Sequence, residues 1–549
     1  MIDVIIAGAG PCGLLLACEL AAAGIRPLVL ERLPEPSAEP KANGLVGQVV
    51  PLLGRRGLHE SLSGTAEPPQ PNGSYFMFAA MPLNLRVLER SPVYTLPVPQ
   101  QRIVEVLERR ALELGAEIRR GAELIGITQH ADGVSVRVSG PGGPAELRGR
   151  FLVGADGAHS ATRKLAGIGF PGVSYDRTTT RTAHVTIPAN LVDPEAGALT
   201  VPGYGTIPPF LPHRNDRGGI SYAPFPGHPP LVSTTEWDQP ATDGPMTLGE
   251  LRASIARVLG VEVPLDPPPG DGPHVLRRLV GGNTRVADRF RDRRVFLVGD
   301  AAHVFATGGG PGLNVGLQDS LNLGWKLAAE LNGHAPPDLL DSYDSERRHA
   351  AERTLLSARA QSALIAPGGD VTALRDVFAE LMTDEPAVRR LADLVAGADI
   401  HYDMGESGHP LVGRCAEDLE LDTAHGPTRL SELARTARPL LLDLSGSAVR
   451  TDRAADAAAA VPSGEVGPAG VDEPAGDCGL AEVVAEWAGQ VDYVRARPRG
   501  GAPALALLLR PDSYVAWAAG GPESTDLEAL RAALVRWFGV PAQHVHQGR

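Results

Sequence analysis

A chain of 549 residues is too long for one hydrophobic core, so two or three domains are expected. Its 43% hydrophobic and 21% charged content excludes a disordered chain. A formal charge of −14 speaks against nucleic acid or anionic membrane as a partner, because both reward a basic face.

The chain opens as strand, tight turn, helix, strand. Residues 3–7 form a short apolar run suited to a buried parallel strand. The Leu- and Ala-rich stretch 13–23 predicts a helix, with Gly24 as its stop. Residues 26–30 are the next strand and end on Glu31. Residues 52–62 read as helix, and 98–115 as an amphipathic helix with Ile103, Val104, Leu107, Ala111 and Leu112 on one side. Alternation over 133–138 and the run 151–154 add strands.

From about 174 to 285 prolines and glycines become frequent, helix signals fade, and segments such as 182–187 alternate. An antiparallel sheet is expected there. Residues 295–298 are a compact buried strand, and helical pattern runs from 300 to about 397. A last unit carries strands at 439–444 and 505–509 and a helix over 527–538. Its Ala-, Gly-, Pro- and Asp-rich stretch 453–477 reads as a surface insertion. The division expected is 1–173, 174–285, 286–397 and 398–549, with the first and third parts forming one α/β cofactor domain.

The four cysteines, Cys12, Cys18, Cys415 and Cys478, have neither zinc-ligand nor thioredoxin-type spacing, so no metal site and no disulfide framework are expected. His544 and His546 near the end read as a solvated tail. Few cysteines and no basic leader before the apolar start fit a reducing cytoplasm, and no apolar stretch is long enough to span a bilayer.

The first chemical signal is GAGPCG, Gly8 to Gly13, set between strand and helix. Gly8 permits the tight turn, Gly10 lets backbone approach a pyrophosphate, and Gly13 lets helix pack on strand. The helix N-terminus beginning near Pro11 offers N–H groups and a positive dipole end to phosphates. Glu31 lies where a carboxylate accepts ribose hydroxyls. Two later segments add to this: FLVGADGAHSATR from Phe151, and RVFLVGDAAHVFATGGGPGLNVGLQDSLNLGWKL from Arg294. Asp300 closes a strand and could hold a polyol hydroxyl, with a helix N-cap as its competing reading. The turn Gly308 to Gly312 leads into a helix starting near Leu313, whose N–H groups could face the anionic end of a flavin ring.

On these residues the chain resembles the group A flavoprotein monooxygenases, and most closely the polyketide hydroxylases of actinobacterial aromatic antibiotic pathways. Gly8 to Gly13 with Glu31 matches the family's ADP-binding motif, Asp156-Gly157 its DG motif, and Gly299-Asp300 its GD motif. LLDSYDSERR, Leu339 to Arg348, and Val98-Pro99-Gln100 match further family segments. The resemblance covers nearly the whole chain. It implies a glutathione-reductase-type Rossmann domain for FAD, an antiparallel-sheet substrate domain and a C-terminal thioredoxin-like domain without CxxC. It carries cofactor contact to Gly8, Gly10, Pro11, Gly13, Glu31, Arg32, Lys41, Gln100, Leu124, Asp156, Asp300, Gly309, Gly310, Pro311, Gly312, Leu313 and Asn314. It also implies NAD(P)H as transient reductant, O2 as co-substrate and a bulky polycyclic or polyketide substrate, on a monomer or homodimer. No side chain is singled out as catalytic, since cofactor and substrate positioning carry the chemistry.

Four positions depart from the family pattern: Lys41 and Gln48 stand where relatives carry arginines, and Pro311 and Leu313 alter the usual GGQGMN turn. They keep a second reading open, because some proteins of this architecture are [4+2] cyclases that form decalin rings in spirotetronate-type pathways and retain FAD as scaffold. A non-enzymatic binding protein is the third reading. Tyr175, Phe210, His213, Tyr222, Phe225 and Trp237 are candidate substrate-lining residues by type and region.

Overall fold

The computed structural model describes residues 1–39, 41–225, 227–240, 242–306, 310–447, 479–521 and 526–541. Gly308, Gly309, Cys478, His544, His546 and the stretch 453–477 lie outside them.

The apolar N-terminal run becomes the strand Ile2–Ala7, which pairs in parallel with Pro27–Glu31 on one side and Ala145–Gly154 on the other. Glu117–Arg120 and Val295–Leu297 extend the parallel sheet on either flank, giving eight strands with the antiparallel additions at its margins. Strands buried on both faces explain why 3–7 and 295–298 read as unbroken apolar runs. The helices Pro11–Ala22, Gln100–Glu113 and Pro311–Leu331 cover one face around a core that includes Leu14, Leu16, Leu107, Phe296 and Leu317. Pro11–Ala22 and Pro311–Leu331 approach so closely that a Cβ on Gly324 would stand 2.6 Å from the Glu19 Cβ. The region expected as one helix over 52–62 is two short ones, Val49–Gly54 and His59–Ser63. Gly57, with φ +70°, takes the left-handed turn between them.

The middle region is a six-stranded antiparallel sheet in the order His213–Asn215, Gly218–Ala223, Leu231–Trp237, Gly172–His184, Leu276–Val286 and His303–Val304. It also holds a helix that the sequence reading missed, Leu248–Leu259. Thr247 caps it by accepting from the Glu250 amide, Glu250 stands at the third helical position, and Gly260 ends it in the left-handed conformation. That helix seals one sheet face with Leu251, Ile255 and Val258 against Ala183, Ile220, Tyr222 and Val232. The entering and leaving strands pair side by side, Gly172 opposite Arg285.

The long helices Asp341–Ile365, Gly369–Leu381 and Glu385–Ala396 follow. The C-terminal unit is a six-stranded mixed sheet around Leu440–Asp443, parallel to Asp492–Pro498 and antiparallel to Ala506–Leu509. Leu527–Phe538 packs against it through Leu530, Leu534, Trp537 and Phe538. No described helix is long and apolar enough to cross a membrane.

Candidate cofactor cleft

A cleft of about 480 Å³ opens at the carboxyl ends of the parallel strands. It brings together ten of the residues singled out in the sequence: Gly8, Gly10, Pro11, Glu31, Arg32, Lys41, Gln100, Leu124, Asp156 and Asp300. Its position follows from the topology, since ligands of open parallel sheets sit beyond the carboxyl ends of the strands.

Sterics separate the roles of the three glycines. Gly8 adopts φ +110°, and a Cβ there would lie 2.3 Å from the Ala155 carbonyl oxygen. A Cβ on Gly13 would lie 2.1 Å from the Gly8 carbonyl oxygen, so Gly13 serves packing behind the cleft rather than its lining. Gly10 is different, because a Cβ there would meet nothing within 4 Å and would project into open space. Pro11 begins the helix, and the first intrahelical bond is Leu14 N to Gly10 O at 3.0 Å. The amides of Cys12 and Gly13 therefore have no intrahelical partner, which is the donor set an anion requires.

Glu31 ends its strand with its carboxylate fixed by two amides. Ala9 N donates to Oε2 at 2.8 Å and Leu33 N to Oε1 at 2.9 Å, leaving further lone pairs on both oxygens. Arg32 and Lys41 are exposed at the rim. Lys41 is 3.6 Å from Glu39, and its charge also reaches Asp300. Gln100 opens the Gln100–Glu113 helix and donates its amide to Ala42 O at 2.9 Å; buried Leu124 supplies an apolar wall.

The two aspartates differ. The Asp156 carboxylate accepts from Ser160 Oγ at 2.5 Å and from Thr162 N and Oγ1 at 2.9 and 3.0 Å, so it organises the start of the Ala161–Leu165 helix. Asp300 sits in a 3-10 turn and accepts no hydrogen bond from a described residue, which removes the N-cap reading. It is exposed, but toward the cleft. The surrounding protein withdraws water and raises its pKa, against the pull of His303 and Lys41.

The described part of the glycine turn, from Gly310 on, stands beside Asp300. Gly310 takes φ +60° as N-cap, and the helix begins at Pro311, two residues before the expected start. Proline suits that first position because its missing N–H would have had no helical partner. A Cβ on Gly312 would be 3.5 Å from Asp300 Oδ1, which joins this turn to the cleft. Leu313 packs on the core, and Asn314 ties the turn to the neighbouring strand: Val46 N donates to its Oδ1 at 3.0 Å and its Nδ2 donates to Gly310 O at 3.2 Å. Pro311 and Asn314 line a separate, smaller cavity with Phe76, Met77 and Gln361.

The cleft also includes Ala9, Ser37, Gln101, Glu123, Ala158 and His159, which the sequence reading did not name. Ala158 and His159 follow the DG motif directly and were within reach of it. Of the aromatic candidates, Tyr222 is buried against the helix Leu248–Leu259 and His213 is bonded to the Tyr204 hydroxyl at 2.7 Å. Phe210 and Phe225 meet edge to face at 5.3 Å, with Phe210 half exposed. Gln48 donates to Pro92 O at 3.2 Å. Among the described residues no group of three or more His, Cys, Asp or Glu is placed to hold a metal.

A cleft with a helix N-terminus, an open Gly10, a strand-end carboxylate and a second carboxylate that accepts no hydrogen bond from a described residue fits FAD, with its phosphates, ribose and ribityl chain. Residues 1–358 match the FAD binding domain family, and 409–480 and 471–541 match the aromatic-ring hydroxylase C-terminal family. The chain belongs to the FAD-dependent aromatic-ring hydroxylases, a family of flavoprotein monooxygenases.

Among characterised relatives, it is 40% identical to a 12-dehydrotetracycline 5-monooxygenase/anhydrotetracycline 6-monooxygenase of Streptomyces rimosus, over 98% of this chain and 99% of that one. It is 36% identical to a dialkyldecalin synthase of Streptomyces rugosporus, over 98% and 99% of the two chains. The solved anhydrotetracycline hydroxylase from Streptomyces rimosus superposes with a TM-score of 0.80 at 38% identity, covering 98% of this chain and 99% of that one.

Proposed function

We propose that this flavoprotein uses NAD(P)H and O2 to hydroxylate or epoxidise a bulky polyketide-type intermediate. The observation that carries the reading is the full-length similarity to tetracycline-pathway monooxygenases, on a chain whose cleft has the donor set for FAD. Bound FAD would supply the redox chemistry and the activation of oxygen. This chain's residues bind and orient. The amides of Cys12 and Gly13 receive the pyrophosphate, Glu31 the adenosine ribose, and Asp300 a ribityl hydroxyl. Gly310 to Asn314 face the flavin ring, and Arg32, Lys41, Gln100, Leu124 and Asp156 complete the surround. The Phe210 and Phe225 pair, in the middle region, is the aromatic surface we assign to substrate.

The same reading treats the first and third parts, 1–173 and 286–397, as a Rossmann-type domain, 174–285 as the substrate domain and 398–549 as a thioredoxin-like unit. The order of the C-terminal strands, with one parallel pair flanked by antiparallel ones, supports the last assignment.

A [4+2] cyclase that keeps FAD as scaffold is the second reading, favoured by the 36% identity to a dialkyldecalin synthase and by Pro311 in the flavin turn. Anaerobic stopped-flow reduction by NADPH and NADH, with and without polycyclic phenols and followed by oxygen, separates the two. Ligand-stimulated bleaching and product carrying one atom from O2 establish the monooxygenase. A flavin that stays oxidised with both nucleotides across the ligand panel establishes the scaffold role.

A further inference from the structure

The GD turn is held from behind by a buried carboxylate that the cofactor does not need to touch. Asp319 is fully buried on the Pro311–Leu331 helix; its Oδ2 accepts from Gly299 N at 3.0 Å and from His303 Nε2 at 2.7 Å. Those two partners bracket Asp300. On the other side, Oδ1 accepts from Arg347 Nε at 2.7 Å, and Arg347 donates through Nη2 to Val315 O at 3.0 Å and through Nη1 to the Tyr402 hydroxyl at 2.7 Å.

Tyr402 brings in the C-terminal unit. Its ring stacks on Tyr514 at 4.1 Å, and the Arg510 guanidinium lies 5.3 and 5.9 Å from the two ring centres. Arg510 donates to both oxygens of Glu346 at 2.6 and 2.8 Å and to Asp512. Lys326 and Asn322 donate to Glu346 as well, each at 2.7 Å. Three carboxylates, Asp319, Glu346 and Asp512, balance three cations, Lys326, Arg347 and Arg510, and all six are at most 6% exposed. A buried charge stripped of its partner is costly, so each member fixes the next. Arg510 and Asp512, which close the array, come from the C-terminal unit.

We propose that Asp319 is a positioning residue for the cofactor, and that the C-terminal unit acts on the flavin site through Tyr402, Arg347 and Asp319. The unit thereby tunes FAD affinity with none of its described residues in the cleft. The proposal rests on Asp300 facing the cofactor, as argued above.

The test is Tyr402→Phe, which keeps the stack on Tyr514 and removes only the oxygen that Arg347 addresses. FAD is titrated into the apoprotein and followed by flavin fluorescence, with visible circular dichroism of the bound flavin as a second readout. A rise of about tenfold in Kd with an altered flavin dichroism is expected. A Kd within about threefold of wild type overturns the proposal, whatever happens to the melting temperature. Arg347→Lys, which keeps the charge and loses the fork, repeats the test should Tyr402→Phe not fold. Asp300→Ala is titrated in parallel. If it too leaves Kd unchanged, the cleft assignment fails; if it weakens FAD while the other two variants do not, the coupling alone fails.

Discussion

The Glu31 carboxylate accepts a hydrogen bond from the Ala9 amide at 2.8 Å, so the end of the second strand braces the glycine turn that follows the first. One side chain thereby shapes the turn and offers lone pairs to the cleft. Glu31→Ala removes both services. We expect FAD affinity to fall by ten- to a hundredfold, on the scale of hydrogen bonds to a charged group. Ultrafiltration of the purified variant, with free and retained flavin quantified, checks this.

Asp300 accepts no hydrogen bond from a described residue, so its substitution tests the cofactor contact with little cost to the fold. Asp300→Ala is expected to purify with reduced flavin occupancy and to melt close to wild type as apoprotein. Full yellow occupancy after dialysis would remove Asp300 from the site.

Pro311 occupies the first helical position, where a backbone N–H would have no intrahelical acceptor. Pro311→Gln adds a donor to the turn without disturbing a helical bond. Under the monooxygenase reading, flavin reduction stays equal or becomes faster in stopped flow. Loss of FAD binding would instead make the proline integral to the site.

The buried array carries a pH signature. Burial opposes ionisation of Glu346, but Arg510 and Lys326 overcome it and hold the carboxyl at about 2, below its ordinary 4.5. A depressed carboxyl pKa stabilises the fold above the unfolded value and loses that contribution as pH falls toward the folded one. Glu346 thus contributes stability that is present above its ordinary 4.5 and is lost as pH falls toward the folded value. Melting temperatures between about pH 6 and about pH 3 should fall more steeply for wild type than for Glu346→Gln.

Local chemistry was legible in the sequence; partnerships across it were not. Gly8, Gly10 and Gly13 could be assigned separate duties because each is a demand of turn, ligand or packing at a fixed offset. The Leu248–Leu259 helix was masked by the prolines and glycines around it, although Thr247, Glu250 and Gly260 spell its caps. Asp156 lines the cleft, but the DG motif did not show that its oxygens also accept from Ser160 and Thr162 a few positions on. Asp319 and Arg347 sit on two helices, and nothing in either segment announces that they meet.

The adjacency of Gly172 and Arg285 has a consequence for how such enzymes diversify. Residues 173–284 leave the parallel sheet and return toward it at one doorway, so that segment can change while the parallel strands keep their register. A chimaera that exchanges residues 173–284 for those of a relative should retain flavin and inherit the donor's choice of substrate. Under the proposed domain division, recognition is a graft and the redox machinery is its rootstock.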